Sequence, residues 1–88
     1  KKGAFVKNLS ASDKFLYESI KSWRTAKANE ENVPPYVIFG DKTLEELVMA
    51  KPSNLSELLN IFGIGEKKAD MIGSQIIRLI QETQNTQL

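Results

Sequence analysis

Val33-Pro34-Pro35-Tyr36-Val37-Ile38-Phe39 is the stretch that decides how this chain folds. Two consecutive prolines fix φ and remove two backbone donors, so a helix arriving from the N-terminal side cannot run through them. Four large apolar or aromatic residues follow at once. A surface loop does not carry Tyr-Val-Ile-Phe without burying most of it. The stretch therefore reads as a rigid connector. It inserts Val37 and Phe39 into a core and holds Tyr36 near the rim.

Upstream, Phe15, Leu16, Ser19, Ile20, Trp23 and Ala26 recur at helical spacing and predict a helix over about 13–30. Ser12 is read as its N-cap, with Asp13 suited to the first turn. Lys14, Tyr17, Lys21 and Arg24 fall on the opposite face, which is mixed, at spacings of three and four. Residues 1–11 show no sustained periodicity and are read as a basic linker or arm, carrying Lys1, Lys2 and Lys7 without an acid. The first residue, Lys1, suggests a fragment or a processed chain.

Downstream, Gly40-Asp41 makes a turn. Leu44, Leu47 and Val48 then stripe a helix that reaches about Lys51. Pro52-Ser53-Asn54 breaks it, and Leu55, Leu58, Leu59 and Ile61-Phe62 form a short helix capped by Ser53 or Asn54. Gly63-Ile64-Gly65 is a tight turn in which φ > 0 is expected. Glu66 opens a final helix with Ala69, Ile72, Gly73, Ile76, Leu79 and Ile80 on one face. It should end near Thr83, and residues 84–88 should fray.

The expected fold is all-α: a small orthogonal bundle of four main helices plus one short helical turn, in one domain over residues 12–83. The expected core anchors are Phe15, Ile20, Trp23, Val37, Phe39, Leu44, Leu47, Leu58, Leu59, Ile64, Ile72, Ile76 and Leu79.

Composition narrows the function. The 88 residues contain no Cys and no His. That removes disulfides, thiolate nucleophiles, Cys/His zinc sites and imidazole acid–base chemistry. No run of about 18 apolar residues is present to span a bilayer, so no membrane partner is expected. The net charge of +1 conceals an asymmetry, because residues 13–88 hold nine basic against eleven acidic side chains. A strongly basic nucleic-acid domain is excluded, and any contact with DNA or RNA is expected to be local and weak. Glu30-Glu31 and Glu45-Glu46 are adjacent on helices and point about 100° apart, so they do not converge as a hydrolytic pair. No catalytic residue and no metal ligand is assigned.

Three constellations remain. Leu59-Asn60-Ile61-Phe62-Gly63-Ile64-Gly65-Glu66-Lys67-Lys68-Ala69 has the form of a helix-hairpin-helix element. Its glycines let backbone N–H groups at a helix start face a phosphate, and Lys67 or Lys68 adds charge. The alternative is a packing turn with Ile64 as a core plug and Ala69 permitting close approach. Glu66 counts against phosphate. The second constellation is Tyr17, Lys21 and Arg24, an aromatic among cations that suits a single strand; the alternative is a solvated helix face with Tyr17 over aliphatic stems, and Glu18, Glu30 and Glu31 weaken any positive field there. The third is Tyr36, either presented rigidly to a ligand or buried with its hydroxyl bonded.

Trp23-Arg24, Val33–Phe39, Asp41-Lys42-Thr43-Leu44, Pro52 and Ile64-Gly65-Glu66-Lys67-Lys68, in this order and spacing, closely resemble the HRDC domain, the helicase-and-RNase-D C-terminal module. The resemblance covers about residues 12–83. Pro-Pro-Tyr followed by Val-Ile-Phe is similar to the branch found in bacterial RecQ-type ATP-dependent DNA helicases, which serve DNA repair and recombination in the cytoplasm at the nucleoid.

The resemblance implies a non-enzymatic accessory module with no cofactor of its own. ATP and magnesium, with zinc as a further candidate, would belong to other parts of the parent helicase, as would 3′-to-5′ unwinding. The implied partners are single-stranded or branched DNA, bound weakly, and the helicase core of the same polypeptide, the module being monomeric. Tyr36 matches the family's strand-contacting tyrosine, and Lys42 is its nearest basic neighbour in sequence. Lys21 and Arg24 join as candidates by placement on the first helix, and Lys67 and Lys68 by the hairpin. The competing expectation is a protein-docking module with little DNA affinity, motivated by the net negative body. RNA binding in an RNase D-like exonuclease is a third.

Overall fold

A computed structural model describes the backbone of residues 2–86 and the side chains of residues 5–84. The helices are α1 Lys2–Lys7, α2 Ala11–Glu31, α3 Pro35–Ile38, α4 Asp41–Ala50, α5 Leu55–Leu58 and α6 Glu66–Thr86. No strand occurs among the described residues. The all-α bundle expected from the sequence is present: α2, α4, α5 and α6 are the main helices and α3 is the short turn. The long helix α2 packs against α3, α4 and α6, and α5 packs against α6. Residues 87 and 88 of the expected frayed tail lie outside the described residues, and α6 runs to Thr86, past the expected end near Thr83.

The first correction concerns the N-terminal arm. Residues 2–7 are helical, and Phe5, Val6 and Leu9 pack against the core. The stripe is one turn long, too short for periodicity to register. It also resets α2. Ser10, not Ser12, is the N-cap: its Oγ accepts the Asp13 N–H at 3.1 Å. The buried face of α2 is Leu16, Tyr17, Ile20, Arg24 and Ala28. It is turned by one position, about 100°, from the expected stripe. Tyr17 faces inward because Phe5 covers it, ring centroids 5.9 Å apart. Phe15, expected in the core, is 47% exposed, and Ala26 is exposed.

The proline stretch ends α2 and begins α3. Asn32 takes the left-handed conformation at φ 60°, and the Val33 N–H donates to the Ala28 carbonyl at 2.9 Å. The Asn32 N–H donates to the Asn29 carbonyl at 3.2 Å, so two of the last carbonyls of α2, those of Ala28 and Asn29, are satisfied. Pro34 is extended, and Pro35 then occupies the first helical position, where its missing donor has no partner to lose. Because residues 35–38 are helical, extended alternation does not apply. Ile38 and Phe39 are buried, whereas Val37, expected as an anchor, is 48% exposed.

Further on, Lys51 closes α4 at φ 48°, and its Nζ reaches back to Asp13 at 3.0 Å. Asn54 caps α5 by accepting the Glu57 N–H at 2.8 Å, while the Glu57 carboxylate accepts the Ser53 N–H at 2.8 Å. α5 ends at Leu58, so Leu58 is buried and Leu59, expected in the core, is exposed. Leu44, Leu47, Ile64, Ile72 and Ile76 are buried as expected, and Trp23 and Leu79 are half-buried against the core.

Candidate nucleic-acid interface

Tyr36 stands in the middle of α3 with 73% of its surface exposed. The turn beneath it is fixed from three sides. Pro34 and Pro35 restrict the backbone. Ile38 is buried against the core. Phe39, in extended conformation, is locked by α2. Its ring stacks on Trp23, centroids 6.5 Å apart and planes 9° from parallel. The Arg24 guanidinium lies 5.6 Å from the same ring centroid, and its Nη1 donates to the Phe39 carbonyl at 3.0 Å.

Arg24 is therefore the second correction. The sequence placed it on the mixed face as a strand-contacting cation. It is 6% exposed, and its Nη2 pairs with Asp41 at 3.2 Å. Both of its terminal nitrogens face inward to the junction of α3 and α4, where the extended Phe39 leaves a carbonyl outside any helix. The Nε is buried with no hydrogen-bond partner. Arg24 thus positions the turn that carries Tyr36 and offers little charge to solvent.

The helix-hairpin-helix-like turn lies against the same part of the molecule. Gly63 adopts φ 84°, as expected for a tight turn, while Gly65 does not require positive φ. Ile64 plugs the core and Ala69 is buried. Thr43 on α4 donates from its hydroxyl to the Phe62 carbonyl at 2.6 Å, and Glu46 accepts the Phe62 N–H at 3.0 Å. A Cβ at Gly63 would collide with the Thr43 hydroxyl. Gly63→Ala is expected to destabilise the domain by about 1–3 kcal/mol through this clash and the left-handed backbone. Urea unfolding should show it as a lowered midpoint with an unchanged slope.

Between this turn and α3 lies a cleft of about 380 Å³, lined by Val37, Ile38, Gly63, Gly65, Lys67, Lys68, Met71, Ile72 and Glu31. The fold thus brings Val37, the residue after Tyr36, together with both hairpin lysines, which are 30 and 31 positions away in sequence. Glu66, which argued against phosphate, is exposed and is not among the lining residues. Glu31 is engaged by Lys27 at 3.4 Å. The Lys27 ammonium is held above the usual lysine value, chiefly by its hydrogen bond to Glu30. The Gly65 carbonyl accepts the Ala69 N–H at 2.9 Å, so the donors of residues 66–68 precede the first bond of α6. The first turn of this 21-residue helix holds Lys67 and Lys68 together with the acidic Glu66.

The remaining candidates are dispersed. Lys42 on α4 lies over the Phe62 ring, 5.0 Å from its centroid. It also borders a shallow depression with Phe5, Glu45, Glu46 and Met49. Lys21 lies 5.8 Å from the Tyr17 centroid and borders a separate depression with Glu18, Ser22, Thr25, Ala26 and Asn29. The row Tyr17–Lys21–Arg24 is not a surface constellation, because two of its three members are buried. Among the described residues no cluster of acidic side chains could hold a metal, and no helix is long and apolar enough to cross a membrane.

Sequence reasoning missed Val37, Met71 and Phe62 as surface features. Phe62 was assigned to a helix, but α5 ends four residues earlier. The signal that would have found it is its place directly before the glycine turn, where a large aromatic has no helical face to join.

The family model for the HRDC domain matches residues 13–80. The chain is 39% identical over 70 residues to the ATP-dependent DNA helicase RecQ of Haemophilus influenzae, covering 80% of this chain and 11% of that protein. It is also 39% identical over 69 residues to the ATP-dependent DNA helicase UvrD2 of Mycobacterium tuberculosis, covering 78% of this chain and 10% of that protein. The chain thus spans about a tenth of the length of these relatives. Among solved structures, the third HRDC domain of D. radiodurans RecQ superposes with a TM-score of 0.76 at 30% identity, covering 80% of this chain and 92% of that one. With Pro-Pro-Tyr on a core-locked turn, the glycine hairpin against it and these matches over most of its length, the chain belongs to the HRDC domain family.

Proposed function

We propose that this chain is an accessory module of a RecQ-type helicase that binds single-stranded DNA weakly and helps place it for the ATPase core. ATP, magnesium and strand separation belong to that core, and the module works where bacterial chromosomes are handled, in the cytoplasm. The observation that carries the proposal is Tyr36, 73% exposed on a turn anchored by prolines and by Phe39. An aromatic left in water on a rigid backbone contributes little to folding and stacks a base at small entropic cost. Lys67 and Lys68, in the cleft beside it, are suited to the backbone phosphates of the same strand.

The near-neutral charge sets the expected strength. Few phosphates are neutralised, so binding should lie in the micromolar-to-millimolar range and weaken with salt along a shallow slope. Tyr36→Ala should weaken binding to oligo-dT by about 1–3 kcal/mol. Fluorescence anisotropy of a labelled oligo-dT at low salt measures this. Equal affinity for the wild type and Tyr36→Ala would remove Tyr36 from the interface.

A protein-docking role is the second reading. It draws on the net negative balance of residues 13–88 and on the exposed apolar side chains Phe15, Met49 and Met71. Cross-linking of the helicase core with and without this segment separates the two readings.

A further inference from the structure

We propose that Phe62 is a second base-stacking residue, and that a single strand crosses the cleft between Tyr36 and Phe62 with its phosphates over Lys67 and Lys68. This rests on the single-strand reading above and adds to it a residue and a path. Phe62 is 59% exposed. Its backbone is nonetheless pinned on both sides, the carbonyl by the Thr43 hydroxyl and the N–H by the Glu46 carboxylate. An exposed ring on a pinned backbone has the property already seen at Tyr36: little of its surface serves the core, and little freedom is lost when a planar ligand stacks on it. Lys42 lies over one face of the ring, 5.0 Å from its centroid, so a base would stack on the other.

The two aromatics are tied to one cleft. Val37 follows Tyr36 and Gly63 follows Phe62 in the chain, and both line it. The same cleft is lined by Lys67 and Lys68, and among the described residues neither forms an ion pair. The acid in the lining, Glu31, is already engaged by Lys27. Two cations in a cleft whose lining includes the chain neighbours of two exposed aromatics suit a single strand, because each nucleotide brings one apolar face and one negative charge. A purely apolar protein segment would leave the two ammonium groups without counter-charge.

The test compares oligo-dT affinity of the wild-type chain with that of Tyr36→Ala, Phe62→Ala, Phe62→Leu and Phe62→Tyr. Phe62→Ala is expected to weaken binding by about 5- to 150-fold, the range of one lost base stack. Phe62→Leu, which keeps bulk without a π-face, should also weaken it, and Phe62→Tyr should restore it. Trp23 emission reports that each variant remains folded. Should Phe62→Ala unfold, the Leu and Tyr pair still decides the matter. Binding that falls with Tyr36→Ala but is unchanged by Phe62→Ala and Phe62→Leu overturns the role of Phe62 and leaves the single-strand reading standing. A wild-type chain that does not bind oligo-dT at low salt overturns both. A Phe62→Ala variant that loses binding to the helicase core but keeps oligo-dT affinity assigns the ring to protein contact and likewise overturns the proposal.

Discussion

Phe39→Ala is expected to destabilise the domain by about 3–5 kcal/mol, within the range for deleting a buried aromatic side chain. Phe39 is 1% exposed and is the largest fully buried side chain. Its ring is in contact with Trp23 and with the Arg24 guanidinium, both on α2, so the tie between α2 and the end of α3 is lost. A domain of 88 residues has little reserve. At roughly 4–8 °C per kcal/mol the loss corresponds to a fall in Tm of at least about 12 °C. The chain has one tryptophan. Its emission therefore reports on this contact directly and should shift to the red in the variant even before global unfolding. Thermal denaturation followed by circular dichroism and by Trp23 fluorescence measures both effects.

Arg24→Ala is the second large effect, expected at about 2–4 kcal/mol. Two bonds are lost at once, one to the Phe39 carbonyl and one to Asp41, and hydrogen bonds to a charged group contribute about 1.5–3 kcal/mol each. The Asp41 side chain is 37% exposed, so water replaces part of its share. The Phe39 carbonyl is buried with the ring and regains less. Part of the loss is offset because the unpartnered Arg24 Nε leaves the interior with the rest of the group. The same variant should weaken oligo-dT binding although Arg24 is buried, because the turn carrying Tyr36 loses its tie to α2. Arg24→Lys keeps the charge but cannot reach both partners with planar geometry, and it should fall between wild type and Arg24→Ala. Urea unfolding measures the stability. Wild-type stability of Arg24→Ala would mean that the guanidinium holds nothing in place.

These two residues also show what could be read in the chain. Phe39 was legible because a run of large apolar residues after two prolines must bury part of its surface, although only Ile38 and Phe39 do so and Tyr36 and Val37 stay exposed. Arg24 was not, because a helical wheel places an arginine between lysines on the polar side. Only the tertiary position of the Phe39 carbonyl gives it a reason to turn inward. The face of α2 was misread by one position for a related cause. Phe15 and Tyr17 are both large, and the choice between them depends on α1, whose single stripe of Phe5, Val6 and Leu9 is too short to register as periodic.

The hairpin lysines were found from Gly-Ile-Gly because positive φ at Gly63 is a local requirement. Their approach to Val37 is not local, and it decides where the candidate interface lies. Lys42 and Phe62 are coupled across the α4–hairpin contact, which no sequence spacing encodes.

The most direct measurement is a titration of the ¹⁵N-labelled chain with oligo-dT at low salt, following amide shifts by NMR. Progressive shifts are predicted for residues 36 and 37 and for residues 63–68. Residues on the far faces of α4 and α5 should stay still, and added salt should reverse the shifts. Shifts confined to the Lys21 depression, or none at all while the chain remains folded, would contradict a strand-binding surface built on Tyr36 and the hairpin lysines.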